Sequence, residues 1–280
     1  MRIGCHLSVA KGFAQAVRVA PTLGATAFQY FTKNPRAFRG AKTVNLADAA
    51  EGVRLMAERD LIAIGHAPYL INLASPDDEL WHLSIDALIQ DLVIASARGT
   101  YAVVVHCGKP KQHGRDYGIA RMQAALTAVL QQSPRPSPAV LLENTAGQGS
   151  EIGTTIDELL AIAEPFPAER VGFCLDTQHA FAAGVLSAEH PTAFAGFSHR
   201  GYLDRLQAIH LNDSKVPFNG RRDRHELIGQ GSIGLPALSL LLNDPRVAAL
   251  PFYLETPVHD ERQYADEIRI VQGLLGDRDA

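Results

Sequence analysis

The sequence predicts an α/β protein folded as a single-domain (β/α)8 TIM barrel spanning 1–280, with its working loops at the C-terminal face. Eight short apolar runs recur at intervals of roughly 25 to 45 residues, each run stops on a polar residue, and a helix-patterned stretch follows each one. Parallel strands buried on both faces read as continuous apolar runs, and in a barrel their C-terminal ends open onto one mouth. An open doubly wound sheet would alternate in the same way, but no phosphate-cradling GxGxxG follows the first run. The 280 residues suit one barrel of about 250 residues. No compositional break marks a linker, and the Pro-rich SPRPSP at 133–138 falls between a helix and a strand, as an ordinary loop does.

The first run is RIGCH at 2–6, and Gly12 to Ala20 follows it as a helix. AFQYFTKN at 27–34 leads through a basic loop to a helix over Leu46 to Arg59. LIAIGH ends at His66, and the helix after it, Asp77 to Arg98, has Leu80, Leu83, Leu88, Leu92 and Ile94 at near-helical spacing. YAVVVH ends at His106 before Tyr117 to Leu130, and AVLLE ends at Glu143 before Thr154 to Ala163. VGFCLD ends at Asp176 before Pro191 to Leu206, LQAIH ends at His210 before Leu235 to Leu242, and PFYLE ends at Glu255 before Asp260 to Leu274.

A net charge of −4 excludes a generally basic nucleic-acid coat, so any phosphate binding has to come from a local patch. Cys5, Cys107 and Cys174 are far apart and form no CxxC pair, which predicts buried reduced thiols. The chain enters its first strand without a signal-like apolar core, and no uncharged segment has the hydropathy of a membrane span. The expectation is a monomeric cytoplasmic protein with no membrane association.

The strand ends carry the chemistry. His66, His106, Glu143, Asp176, His179, His210, Asp223, His225 and Glu255 are five imidazoles and four carboxylates, a mixture suited to zinc and poor for calcium or magnesium. Any one of them alone reads as a hydrogen-bonded loop residue; convergence at a barrel mouth makes them candidate ligands. Asp176 and His179 share a face if the chain turns helical after the strand. Asp223 and His225 share a side if their segment is extended. Nine ligands exceed the four or so that one tetrahedral zinc takes, so two or three ions are implied. Clustered ions suit clamping the attacking and leaving oxygens of a phosphoester, which makes phosphodiester hydrolysis the leading reaction class.

The motifs GHAPYLINLASP at 65–76, LLENTAGQG at 141–149, CLDTQHAFAAG at 174–184, HLNDSK at 210–215, DRHELIGQG at 223–231 and LETP at 254–257 resemble the endonuclease IV family of apurinic/apyrimidinic endonucleases. The resemblance runs from the first strand to the last. It implies a three-zinc enzyme, with Mn2+ tolerated in some sites, that acts on double-stranded DNA. Such an enzyme cuts 5′ to an abasic site, leaves a 3′-hydroxyl and a 5′-deoxyribose phosphate, and also removes 3′ blocking groups. It implies one ion on His66, His106 and Glu143, a second on Asp176, His210 and Glu255 with Glu143 bridging, and a third on His179, Asp223 and His225. Glu143 would be catalytic as the bridge. Cys107 and Gln178 depart from the family pattern, where Pro and Cys are common, and both stand beside the ligands rather than among them.

The loop FTKNPRAFRG at 31–40 offers Lys33, Arg36, Phe38 and Arg39 for phosphate contact and stacking. Lys33 is a DNA-binding candidate from the charge of this loop, and by the resemblance Arg36, Tyr69 and Leu70 are DNA-binding residues that enter the duplex at the lesion. Lys109, Lys111, Arg115, Lys215, Arg221 and Arg222 also follow strands and would make the mouth locally positive. The rival reading is a divalent-metal sugar isomerase or epimerase on a similar barrel, served by Glu143, Asp176, His210 and Glu255, which leaves the other five candidates without a role. A third reading, a lesion-binding module without catalysis, fits the basic loops but not a metal cluster open to water.

Overall fold

Eight parallel strands close into a ring in this computed structural model, which describes residues 1–36, 38, 44–187 and 201–276. They are β1 (Arg2–His6), β2 (Ala27–Phe31), β3 (Ile62–His66), β4 (Ala102–His106), β5 (Ala139–Glu143), β6 (Val171–Asp176), β7 (Leu206–His210) and β10 (Pro251–Leu254). Each pairs with the next barrel strand in the chain, and β10 pairs with β1 to shut the ring. Two short strands outside it, β8 (Asp213–Ser214) and β9 (His225–Glu226), form an antiparallel pair.

Helices cover the strands: α1 (Phe13–Val19), α2 (Leu46–Glu58), α3 (Asp78–Ala97), α4 (Arg115–Gln132), α5 (Ile156–Ala163), α6 (Thr177–Ala182), α7 (Tyr202–Arg205), α8 (Gly234–Leu242) and α9 (Tyr264–Gly273). α2, α3 and α5 start on side chains that accept an orphan backbone N–H. Asn45 accepts from Asp48, Asp77 from Leu80 and Thr155 from Glu158. The helix expected over 191–206 ends before Leu206, which opens β7, and its stretch 191–200 lies outside the described residues, as does Arg39. α3 is long and apolar enough to span a membrane, yet it packs against β3, β4 and α4 and buries Asp91, as a barrel helix does.

Two apolar layers result. Between strands and helices lies the larger core, with Phe13, Leu88, Leu92, Met122, Phe173 and Tyr202 fully buried. Inside the ring, Ala27, Ile64, Ala102, Val104, Leu141, Cys174, Ala208 and Tyr253 fill the barrel. Side chains alternate along a strand, so the residue two places beyond each of these inner positions also points inward at the mouth. That parity places Gln29, His66, His106, Glu143, Asp176, His210 and Glu255 on one rim. The parallel registers set His106 opposite Glu143 and Asp176 opposite His210. β1 joins the same rim through His6, and Gly4 below it has no alternative, since a Cβ there would lie 2.0 Å from the Ala27 carbonyl oxygen.

Candidate metal centre

Glu143 is the hub of the rim. One carboxylate oxygen, Oε2, lies 3.2 Å from His66 Nε2 and 3.1 Å from His106 Nε2. The other, Oε1, lies 3.2 Å from His179 Nδ1 and 3.0 Å from His210 Nδ1. His210 Nδ1 is also 3.1 Å from Glu255 Oε2 and 3.9 Å from Asp176 Oδ2. The outer histidines converge on Asp223 Oδ1, at 3.4 Å from His179 Nε2 and 3.5 Å from His225 Nε2.

Local structure explains how a helix and a loop join the strands. Asp176 ends β6 and caps α6, accepting the His179 backbone N–H at 2.7 Å, so the three-residue spacing folds into one helical turn as expected. Asp223 and His225 arrive on the segment leading into β9, where Ser214 pairs with His225. Asp213 holds this excursion, its carboxylate accepting backbone N–H groups from Ser214, Gly229, Gly231, Ile233 and Gly234. Gln148 accepts from the Asp223 backbone at 3.4 Å.

The second nitrogen of most of these imidazoles is also committed. His66 Nδ1 lies 2.7 Å from the Ala67 carbonyl, His179 Nδ1 3.0 Å from that of Asn144 and His225 Nδ1 3.2 Å from that of Glu255. A ring whose Nδ1–H is donated outward presents Nε2 inward as a lone pair, the arrangement metal-binding histidines adopt. His179 Nε2 and His225 Nε2 are buried without a hydrogen-bond partner. Such orphans carry a desolvation cost that a cation between them and Asp223 would remove. Asn144 and Asn212 hold Asp176 in turn, at its backbone N–H and at Oδ2, each across 2.7 Å.

The electrostatics match this geometry. Burial opposes charge on Glu143, but the imidazoles of His210 and His106 outweigh it and hold the carboxyl well below the usual carboxylate range. Burial is likewise outweighed at Glu255, chiefly by His210. Burial disfavours protonated His179, yet Asp176 and Asp223 raise it well above an ordinary histidine. The carboxylates draw protons onto the buried imidazoles beside them, and divalent ions can take the place of those protons between the same donors. Among the described residues the donors fall into three groups: His66, His106 and Glu143; Glu143, Asp176, His210 and Glu255; and Asp176, His179 and His225. Asp223 adds to the last group through its distances to both histidines. All nine expected ligands are thus brought together, with Glu143 between the first two groups.

Comparison with known proteins decides the family. Residues 17–274 match the family model described as a xylose isomerase-like TIM barrel. A protein of Symbiobacterium thermophilum named "Probable endonuclease 4" is 46% identical over 277 residues, covering 98% of this chain and 100% of that protein. The crystal structure of endonuclease IV from Thermus thermophilus superposes with a TM-score of 0.88 at 34% identity, covering 98% of each chain. This chain belongs to the endonuclease IV family. The 3-keto-D-glucoside 4-epimerase of E. coli, at 15% identity and a TM-score of 0.69, shares the fold alone.

Around the basin of this endonuclease IV family chain, the departures at Cys107 and Gln178 acquire roles. Gln178 Nε2 donates to the Arg222 carbonyl at 3.1 Å and to Ser214 Oγ at 3.3 Å, and its Oε1 accepts from the Arg224 backbone at 3.3 Å, so it ties α6 to the loop carrying Asp223. Cys107 is fully buried, 3.5 Å from the Glu143 carbonyl, and burial pushes its thiol well up, as an inert packing residue requires.

Of the residues expected to meet DNA, Tyr69 and Leu70 stand at the mouth, 59% and 41% exposed, and Tyr69 packs edge-on to Phe31 and His106. Arg36 is exposed on the loop after β2. Lys33 is a correction. Its side chain is 3% exposed, with the ammonium 3.1 Å from Asp91 Oδ1 on α3 and 2.7 Å from the Ala87 carbonyl, so it bolts the loop to the barrel and spends its charge there rather than on a phosphate. Phe38 packs onto the outer core rather than standing free. Lys109 and Arg115 are engaged by Glu151 and Glu158. Lys215 and Arg224 line the mouth beside Tyr69 and His106.

Sequence reasoning missed Gln29, Asn144 and Asn212. Asn144 and Asn212 lie one and two places after a ligand, inside motifs already singled out, and Gln29 was detectable as a lone amide in an apolar run, in phase with Ala27.

Proposed function

We propose that this nuclease, a phosphodiester hydrolase of the endonuclease IV family acting on DNA, cleaves double-stranded DNA on the 5′ side of abasic sites with three zinc ions. It would leave a 3′-hydroxyl and a 5′-deoxyribose phosphate, clear 3′ blocking groups in the same basin, and work as a cytoplasmic monomer. The carrying observation is Glu143, one buried carboxylate within 3.2 Å of four imidazoles drawn from four different elements. A one-metal isomerase would need neither His179, Asp223 and His225 nor the pair His66 and His106.

His66, His106, Glu143, Asp176, His179, His210, Asp223, His225 and Glu255 would hold the ions. When bound, zinc supplies Lewis acidity to a phosphoryl oxygen and an ionised water near neutral pH. Everything else is done by the chain. The Nδ1 contacts of His66, His179 and His225 fix which nitrogen faces inward, and Asn144 and Asn212 hold Asp176. Glu143 gives one oxygen to each half of the basin and thereby fixes their separation. Arg224 would bring positive charge to the mouth, where a phosphate enters, beside Lys215, whose ammonium lies 3.8 Å from Glu226.

Selection of an abasic nucleotide has a physical source. A nucleotide without its base costs less to turn out of the stack. The cavity at the mouth is about 360 Å³, room for a sugar-phosphate beside His66, His106, His179 and Glu255. Tyr69 at its edge, with Leu70 next to it in the chain, would hold the opened duplex. The test is cleavage of an abasic duplex beside an undamaged one, with metal analysis of the same preparation. Cutting confined to the abasic strand, with about three zinc per chain, is expected; no cutting by metal-replete protein, or turnover of a ketose instead, would overturn it.

A further inference from the structure

We infer that Gln29 is a positioning residue for the ligands His210 and Glu255, reaching from β2 past β1 to the ends of the last two barrel strands to fix which His210 nitrogen faces the basin. The inference rests on the metal-centre reading above. Gln29 is fully buried on the inner face of the barrel, two places beyond Ala27. Its amide touches three rim residues: Nε2 is 2.6 Å from Glu255 Oε1 and 3.1 Å from His6 Nδ1, and Oε1 is 2.7 Å from His210 Nε2.

The donor assignment follows from the chemistry. An ionised carboxylate only accepts, so the amide atom beside Glu255 is the NH2 group, and the atom beside His210 is the carbonyl, which also only accepts. His210 must therefore carry a hydrogen on Nε2. Its Nδ1, 3.0 Å from Glu143 and 3.1 Å from Glu255, is left as the nitrogen that faces the other donors. Glu255 is oriented by the same amide: Oε1 is taken by Gln29, and Oε2 turns toward His210. Both amide hydrogens are used, one on Glu255 and one on His6.

His210 thereby differs from the other oriented ligands. His66, His179 and His225 lean on main-chain carbonyls, which no substitution removes, and they turn Nε2 inward. His210 turns Nδ1 inward and leans on a side chain. An apolar residue at 29 would leave the His210 Nε2–H buried without an acceptor and free Glu255 to rotate.

The experiment uses full-length Gln29→Leu and, matched in length, Gln29→Met, the latter serving as the read if the former fails to fold. Zinc affinity is measured by competition with a chromophoric chelator, and cobalt(II)-loaded protein is examined by its visible d–d absorption. Both variants should unfold cooperatively, lose 10–100-fold in affinity for one ion with the others unchanged, and show an altered cobalt spectrum. On an abasic duplex, kcat should fall with KM retained. A folded variant with the parent's zinc affinities and cobalt spectrum would overturn the inference. A parent protein that binds no divalent metal would overturn the metal reading itself, a separate failure.

Discussion

The metal basin and the loops around its mouth are built on opposite plans. In the basin nearly every functional side chain has a second contact that fixes its orientation: Ala67 for His66, Asn144 for His179, Asn212 for Asp176, Gln29 for His210. At the mouth, Tyr69 and Leu70 leave much of their surface in solvent. Chemistry that depends on sub-ångström placement is served by pre-organised strand ends, and on the proposed function recognition of a deformable polymer would fall to side chains that can adjust. Lys33 teaches where the border runs. It has the sequence look of the mouth and the burial of the frame.

The strongest way to break this contrast is at the hub. Glu143→Gln keeps the volume but removes the charge and one of the two carboxylate oxygens that face the imidazoles, so turnover on abasic DNA should fall by several orders of magnitude and the metal content should drop with it. Near-normal cleavage with full metal content would reduce Glu143 to a packing residue.

Lys33→Met tests whether that residue belongs to the frame. Removing one partner of a buried pair should cost about 3–5 kcal/mol of stability. Burial pushes Asp91 up to about 6, with Lys33 opposing the rise. Its folded value lies above that of an unfolded aspartate, so the buried carboxylate weakens the fold above about pH 6 and stops doing so as pH falls toward 4. Denaturant unfolding of parent and variant should therefore show the full difference at pH 8 and a smaller one at pH 5. A DNA-contacting lysine would instead leave stability unchanged.

Tyr69→Ala sharpens the other side. Zinc content should stay at the parent level while binding of an abasic duplex weakens by about 1–3 kcal/mol, the worth of one aromatic stacking contact. Equal binding would remove the wedge role. The smallest effect belongs to Arg36→Ala. If Arg36 meets phosphate rather than entering the duplex, its loss should flatten the plot of log affinity against log salt by about 0.9 and leave the preference for damaged over intact duplex nearly as it was; a lost preference would place it at the lesion. An unchanged salt slope would take Arg36 off the backbone.

The sequence made the barrel legible because each strand is an unbroken apolar run and each ligand is the polar residue that ends it. Parity carried the site as well: Ala102, Val104 and His106 share a face, as do Ala139, Leu141 and Glu143. What stayed hidden depends on partners distant in the chain. Lys33 looked like a solvated loop charge because Asp91 is 58 residues away on α3. The clue was on that helix, where Asp91 stands on the buried face among Leu88, Leu92 and Ala95. Gln29 was passed over because it sits mid-run rather than at the run's end. The short α6 and the β8–β9 pair are too brief for any periodicity to register.

Closure of the ring has a consequence for how the enzyme comes into being. β1 finds its second neighbour only in Pro251–Leu254, and Glu255 follows directly behind that strand. Chains are made from the N-terminus, so His66, His106 and Glu143 leave the ribosome long before the residues that complete the mouth. A partly made copy therefore has an open sheet and an unfinished donor set. Any activity that depends on Glu255 therefore arrives late, with the last strand.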